Sequence, residues 1–88
     1  MAMNQLTVFS SNGCPGCTAV IQHFERLGVA HTVVKVDEDE SGMHAFKTLG
    51  HRTVPQVYTP DMEYLGGSLM AILKLPKGTL DIFKKEAT

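Results

Sequence analysis

The sequence predicts a single α/β domain. Three observations predict it. Strand-like and helix-like patterns alternate through the first half, which argues for parallel pairing there. Two further strand-like runs flank a turn signal, which argues for an antiparallel hairpin. The 88 residues suffice for one compact domain, residues 1–88, and are too few for two.

The elements follow in order. Leu6, Thr7, Val8 and Phe9 form a short β-rich run, the first strand. Ser10, Ser11, Asn12 and Gly13 punctuate it as a loop. After Cys14-Pro15-Gly16-Cys17, the apolar positions Ala19, Val20, Ile21, Phe24 and Leu27 suit one face of a helix. Pro15 fits its first turn and Gly28 its stop. Residues 32–36 are β-branched and mostly apolar, so they read as a second strand, buried on both faces as a central parallel strand is. Ser41 is the expected cap of a second helix carrying Met43, Phe46 and Leu49, with Gly50 closing it. Val57 and Tyr58 lie in a third strand beginning after Pro55. Pro60-Asp61 signals a turn, and Tyr64-Leu65 a short fourth strand. Residues 68–75 read as a helix stopped by Pro76, and residues 80–85 as a last helical segment with Lys84 and Lys85 in its final turn.

Composition narrows function. Net charge is −1 and the cations are scattered, so no nucleic-acid partner is expected. The acidic run at residues 37–40 reads as a solvated loop. No apolar stretch approaches about 18 residues, so no membrane span is expected. Residues 1–5 carry no basic region and the apolar run after them is short. The expectation is therefore no secretory signal and a place in the reducing cytoplasm. A structural disulfide framework uses more than the two cysteines present, and wider loops.

Those two cysteines, Cys14 and Cys17, sit where a strand feeds a helix. Unpaired N–H groups and the positive dipole end stabilise an anion there. Free cysteine has a pKa of about 8.5, and such a setting lowers it to roughly 3.5–7.5. The thiolate is the attacking species. Cys17 lies one helical turn on, within reach of Cys14, and should be the more covered of the two. Two ordinary buried cysteines are a poor explanation of this pattern at a strand–helix junction. A metal site needs further ligands, and the spacing of His23, His31, His44 and His51 fits no zinc-finger pattern. No metal is expected.

Thr53-Val54-Pro55-Gln56 enters the third strand. Trans is the default for Pro55; in a cis arrangement the Val54 backbone would face the cysteines and pair with a substrate peptide as an added strand. Gly66 and Gly67 permit close approach of a ligand, and Ser68 can cap the helix that follows. Alone, this last stretch is a plain strand-to-helix turn.

Cys14-Pro-Gly-Cys17, Thr53-Val54-Pro55 and Gly66-Gly67, in this order and spacing, resemble the glutaredoxin family. The resemblance runs from Leu6 to about Leu75, and residues 55–67 look like bacteriophage members. It implies a thioredoxin-like fold, with a central four-stranded mixed sheet flanked by helices, and a cis Pro55. It implies thiol–disulfide oxidoreductase activity, with glutathione as co-substrate and no tightly bound cofactor. Glutathione would lie between the Cys-Pro-x-Cys helix, the Thr-Val-Pro loop and the Gly-Gly turn. Thr53, Val54 and Pro55 would meet its cysteinyl part, Gly67, Ser68 and Leu69 its γ-glutamyl carboxylate, and Arg52, in preference to His51, its glycyl carboxylate.

Three family features are missing. Gly16 stands where Tyr is common, residues 10–13 lack the usual cation, and Ser68-Leu69-Met70 lacks the usual acid. The stretch Gly50-His-Arg-Thr-Val-Pro55 is also similar to small redoxins that are reduced by thioredoxin reductase and feed ribonucleotide reductase. Three functional classes therefore follow. The first is a monomeric oxidoreductase acting on disulfide-containing proteins, ribonucleotide reductase among them. The second is an iron–sulfur cluster carrier, disfavoured by Pro15. The third is a redox-inert module, disfavoured by the retained cysteine pair.

Overall fold

The computed structural model describes residues 5–76 and 78–84 of the chain. Its strands are β1 (Leu6–Ser10), β2 (His31–Lys35), β3 (Gln56–Tyr58) and β4 (Tyr64–Gly66). Its helices are α1 (Pro15–Leu27), α2 (Glu40–Thr48) and α3 (Leu69–Leu73), followed by a single 3-10 turn at Asp81–Phe83. The four strands form one sheet in the order β2-β1-β3-β4. β1 and β2 are parallel, joined through the crossover that α1 supplies; β1–β3 and β3–β4 are antiparallel. The mixed four-stranded sheet is the one expected.

Successive strand residues face opposite sides, so β1 serves two cores. Leu6 and Val8 pack with Val20 and Phe24 of α1, Val57, Ile72 and Phe83. Phe9 packs on the other face with Phe46 of α2, Val36 and Tyr58. Each such apolar side chain, fully buried, contributes about 1.5–3 kcal/mol. The sheet is thus clamped between helix layers, and the carboxyl end of β1, where the cysteines follow, is held from both sides.

Several expectations need correction. The second strand is His31–Lys35 and lies at the sheet edge, not in the centre. Thr32 and Lys35 are exposed, and Val36 lies past the strand end, bonded by its N–H to the Ser10 carbonyl at 2.8 Å. A β-branched run looks alike in either place, because edge position depends on which strands pair. Asp39, not Ser41, caps α2: its carboxylate accepts the Gly42 N–H at 3.0 Å, and a negative group suits the positive helix end. Gly50 closes α2 as expected: it follows the C-cap Leu49 at φ +87°, its N–H donating to the Lys47 carbonyl at 2.9 Å. The third helix is shorter than read, although Ser68 caps it as expected, accepting the Ala71 N–H at 3.1 Å. The last helical segment is only the 3-10 turn, and Lys84 instead bridges Val29. Lys85 lies outside the described residues. Gly28 closes α1 at φ +72°, as its position predicted. Among the described residues, no helix is long and apolar enough to cross a membrane.

Candidate active site

β1 ends at Ser10, a turn follows with Gly13 at φ +72°, and Cys14 occupies the N-cap of α1 in an extended conformation. Pro15 at the first helical position needs no N–H partner there. The Cys14 sulfur accepts the Cys17 N–H at 3.1 Å, the bond a capping oxygen usually makes. The Cys14 carbonyl takes the Thr18 N–H at 3.1 Å. The two cysteines are joined as a disulfide with their Cα atoms 5.3 Å apart. Cys14 is half-buried, whereas Cys17 is 1% exposed. Of the two sulfurs, only that of Cys14 is open to an incoming thiol.

The Thr-Val-Pro segment faces this motif. The Val54 carbonyl oxygen lies 3.8 Å from the Cys14 sulfur. The Val54–Pro55 bond is cis, and Pro55 is buried. Gly16 sits opposite, where an added Cβ would rest 3.5 Å from Pro55 Cδ, an ordinary contact.

Gln56 and Tyr64, which the sequence did not single out, join the segment to the Gly-Gly turn. The Gln56 amide donates to the Thr53 carbonyl at 2.9 Å and the Thr53 hydroxyl at 3.3 Å. Its oxygen accepts from the Tyr64 hydroxyl at 2.6 Å. A Cβ on Gly67 would fall 2.8 Å from that hydroxyl and 2.9 Å from the Gln56 oxygen. One on Gly66 would meet Ala71 Cβ at 2.7 Å. Close packing therefore fixes Gly66, whereas at Gly67 a side chain would displace the tips of Tyr64 and Gln56 and break their bond.

Arg52 is exposed and lines a separate groove of about 520 Å³ with Lys47, Met43, Phe46, Gly50 and His51. His51 is engaged elsewhere: its Nε2 meets the Tyr58 hydroxyl at 2.6 Å. Burial, reinforced by the neighbouring Tyr64 phenol, raises the pKa of Tyr58 above 10.0.

On the β2 side, a groove of about 460 Å³ runs along Cys14, Pro15, Thr18, Ile21, Val33 and Lys35. Lys35 reaches the loop before Cys14, its Nζ donating to Asn12 Oδ1 at 3.0 Å. A cation carried by β2 thus lies against the loop before Cys14. Asn12 is also tethered through its N–H to Asp37 at 3.0 Å and through its amide to Glu38. The acidic run is therefore not a merely solvated loop: it holds the loop before Cys14 and caps α2. A larger, open depression of about 740 Å³ lies between the end of β2 and the start of α2, lined by Lys35, Glu38, Asp39, Glu40 and Ser41 and apart from the cysteine pair. Among the described residues no three His, Cys, Asp or Glu side chains converge as a metal site.

A sequence model of the glutaredoxin family matches residues 6–63. The structure is similar to that of a buckwheat glutaredoxin solved in complex with glutathione: 26% identity, TM-score 0.64, covering 81% of this chain and 66% of that one. It is similar to a reduced glutaredoxin of the poplar hybrid Populus tremula x tremuloides: 28% identity, TM-score 0.68, covering 83% of this chain and 65% of that one. A dithiolic glutaredoxin of Trypanosoma brucei brucei gives 28% identity and a TM-score of 0.66, with 91% and 86% covered. The chain thus spans just under two thirds of the length of the two plant proteins. Comparison with curated protein sequences gave no match.

Proposed function

The chain belongs to the glutaredoxin family of thiol–disulfide oxidoreductases, and from that premise we propose that it is a glutathione-linked reductase of protein and mixed disulfides. One observation carries the reading. Cys14 caps α1 with an accessible sulfur, its partner Cys17 lies buried one turn behind, and the Val54 carbonyl stands beside it.

In the reduced enzyme, the Cys14 thiolate attacks one sulfur of a substrate disulfide. The substrate S–S bond breaks, one thiolate leaves, and a mixed disulfide forms on Cys14. The Cys17 thiolate then attacks the Cys14 sulfur, releases the second substrate thiolate and leaves the internal disulfide. Resetting consumes two glutathiones. The first attacks Cys14 and expels Cys17; the second attacks the bound glutathionyl sulfur and leaves as glutathione disulfide. A glutathionylated protein needs Cys14 alone, with free glutathione resolving the adduct.

Glutathione would extend from Cys14 along the Thr53-Val54-Pro55 segment, its peptide pairing with the Val54 backbone. Gly67, Ser68 and Leu69 would receive the γ-glutamyl end, and the Arg52 guanidinium the glycyl carboxylate. The buckwheat relative, solved with glutathione, supports this co-substrate. The reading includes a monomer in the reducing cytoplasm that holds no tight cofactor and serves a disulfide-containing protein such as ribonucleotide reductase.

The test supplies the oxidised protein with either glutathione plus glutathione reductase or thioredoxin reductase, and follows NADPH consumption. Reduction by the glutathione system is expected. Turnover with thioredoxin reductase alone would overturn the glutathione link. Cys14→Ser should abolish every activity, and Cys17→Ser should stop protein-disulfide reduction while sparing deglutathionylation.

A further inference from the structure

We propose that Gln56 is a positioning residue that fixes the spacing between the two walls of the substrate groove, the Thr53-Val54 segment and the Gly66-Gly67 turn. The proposal deepens the glutathione reading above and rests on it. Gln56 opens β3, opposite Phe9 of β1, and its side chain is buried, with 6% exposure. A buried amide left without partners is costly, so its bonds are held firmly. Its orientation follows from its neighbours. The Thr53 carbonyl can only accept, so the amide nitrogen faces Thr53 and the amide oxygen faces the Tyr64 hydroxyl.

The other end of the link is half open to solvent, since Tyr64 is 52% exposed, and is held from one side by ring contacts. The Tyr64 ring rests against His51 and Tyr58, with centroids 5.4 and 5.3 Å away. Its hydroxyl meets Gln56 directly beside Gly67, where an added Cβ would have to displace both polar tips. Thr53, Gln56, Tyr64 and Gly67 therefore form one connected unit. It ties the loop that faces Cys14 to the turn that starts α3. A glutathione lying along this unit, as proposed above, would meet a surface whose shape is set by the link rather than by either loop alone. Cys14 is no part of it, so the link governs how a substrate is held and leaves the nucleophile itself unchanged.

The test compares Tyr64→Phe, which keeps the ring and removes the hydroxyl, with Gln56→Met, which keeps the length and removes all three bonds. KM for a glutathionylated peptide should rise about two- to tenfold in Tyr64→Phe, the ratio that one lost net hydrogen bond corresponds to, and at least as much in Gln56→Met. kcat and the rate of Cys14 alkylation by iodoacetamide should stay within about twofold of the parent. The double variant should be no worse than Gln56→Met, because both act through one link. An unchanged KM in folded Tyr64→Phe overturns the proposal. So does an equal rise for the same peptide carrying cysteamine, which lacks the γ-glutamyl and glycyl ends. Tyr64→Phe carries the test alone where Gln56→Met does not fold. A parent inactive on glutathionylated peptide refutes the glutathione reading, and amide exchange then judges the link. Faster exchange at both Val54 and Gly67 in Tyr64→Phe, with other amides unchanged, supports it; unchanged exchange at these two overturns it.

Discussion

The sulfur of Cys14 accepts the backbone N–H of Cys17 at 3.1 Å and so closes the first turn of α1 in place of a side-chain oxygen. In the reduced protein the same N–H, with the helix dipole behind it, favours a negative sulfur. Alkylation of reduced Cys14 by iodoacetamide, followed against pH, should therefore show a midpoint below the value of about 8.5 typical of free cysteine. Cys17, buried, should react much more slowly. A midpoint at or above the free value would remove the basis for a poised nucleophile.

The open space over Gly16 predicts a gain. Its Cβ position makes only an ordinary contact with Pro55 at 3.5 Å. Gly16→Ala should raise stability by about 0.4–1 kcal/mol, because alanine loses less backbone entropy on entering the helix. Gly16→Tyr should fold equally well and place a ring beside the Thr-Val-Pro wall. Its KM for a glutathionylated peptide should fall severalfold. A higher KM would locate the groove elsewhere.

Gly42 behaves in the opposite way. A Cβ there would collide with Val34 Cγ1, where α2 packs on β2. Gly42→Ala should therefore cost about 1–3 kcal/mol despite its better helix propensity, since this close approach leaves no room to repack. Asp39→Ala, which removes the α2 cap, should cost about 0.5–2 kcal/mol. Urea denaturation measures both. A stabilised Gly42→Ala would mean that α2 sits further from the sheet.

Local patterning explains what was readable in the sequence. Leu6 to Phe9, the Cys-Pro-Gly-Cys start of α1 and the Gly28 stop are decided by neighbours within one turn or strand, and the structure keeps them. Long-range pairing explains the rest. β2 is an edge because β3 inserts on the far side of β1, which no feature of residues 31–36 encodes. Asn12 finds Asp37, 25 positions away, only once β2 has returned beside β1. Gln56 reads as an ordinary polar strand residue, and its burial exists only after β4 brings Tyr64 across it. The cysteine pair was thus legible, but the bond between Gln56 and Tyr64 was not.

The raised pKa of Tyr58 makes stability depend on alkaline pH. Burial first, and the Tyr64 phenol second, favour its protonated form in the folded protein. The folded state thus holds this proton more tightly than the unfolded chain does. The corresponding stability is complete below the unfolded value of 10.0 and is lost as pH rises through the folded one. The urea midpoint should fall more steeply above about pH 10 in the parent than in Tyr58→Phe, which has no phenolic proton to lose. Tyr58→Phe also removes the hydroxyl that meets His51 at 2.6 Å, so it should be less stable at neutral pH and converge on the parent as pH rises. Parallel curves across that range would show that the Tyr58 phenol is as free to ionise in the fold as outside it.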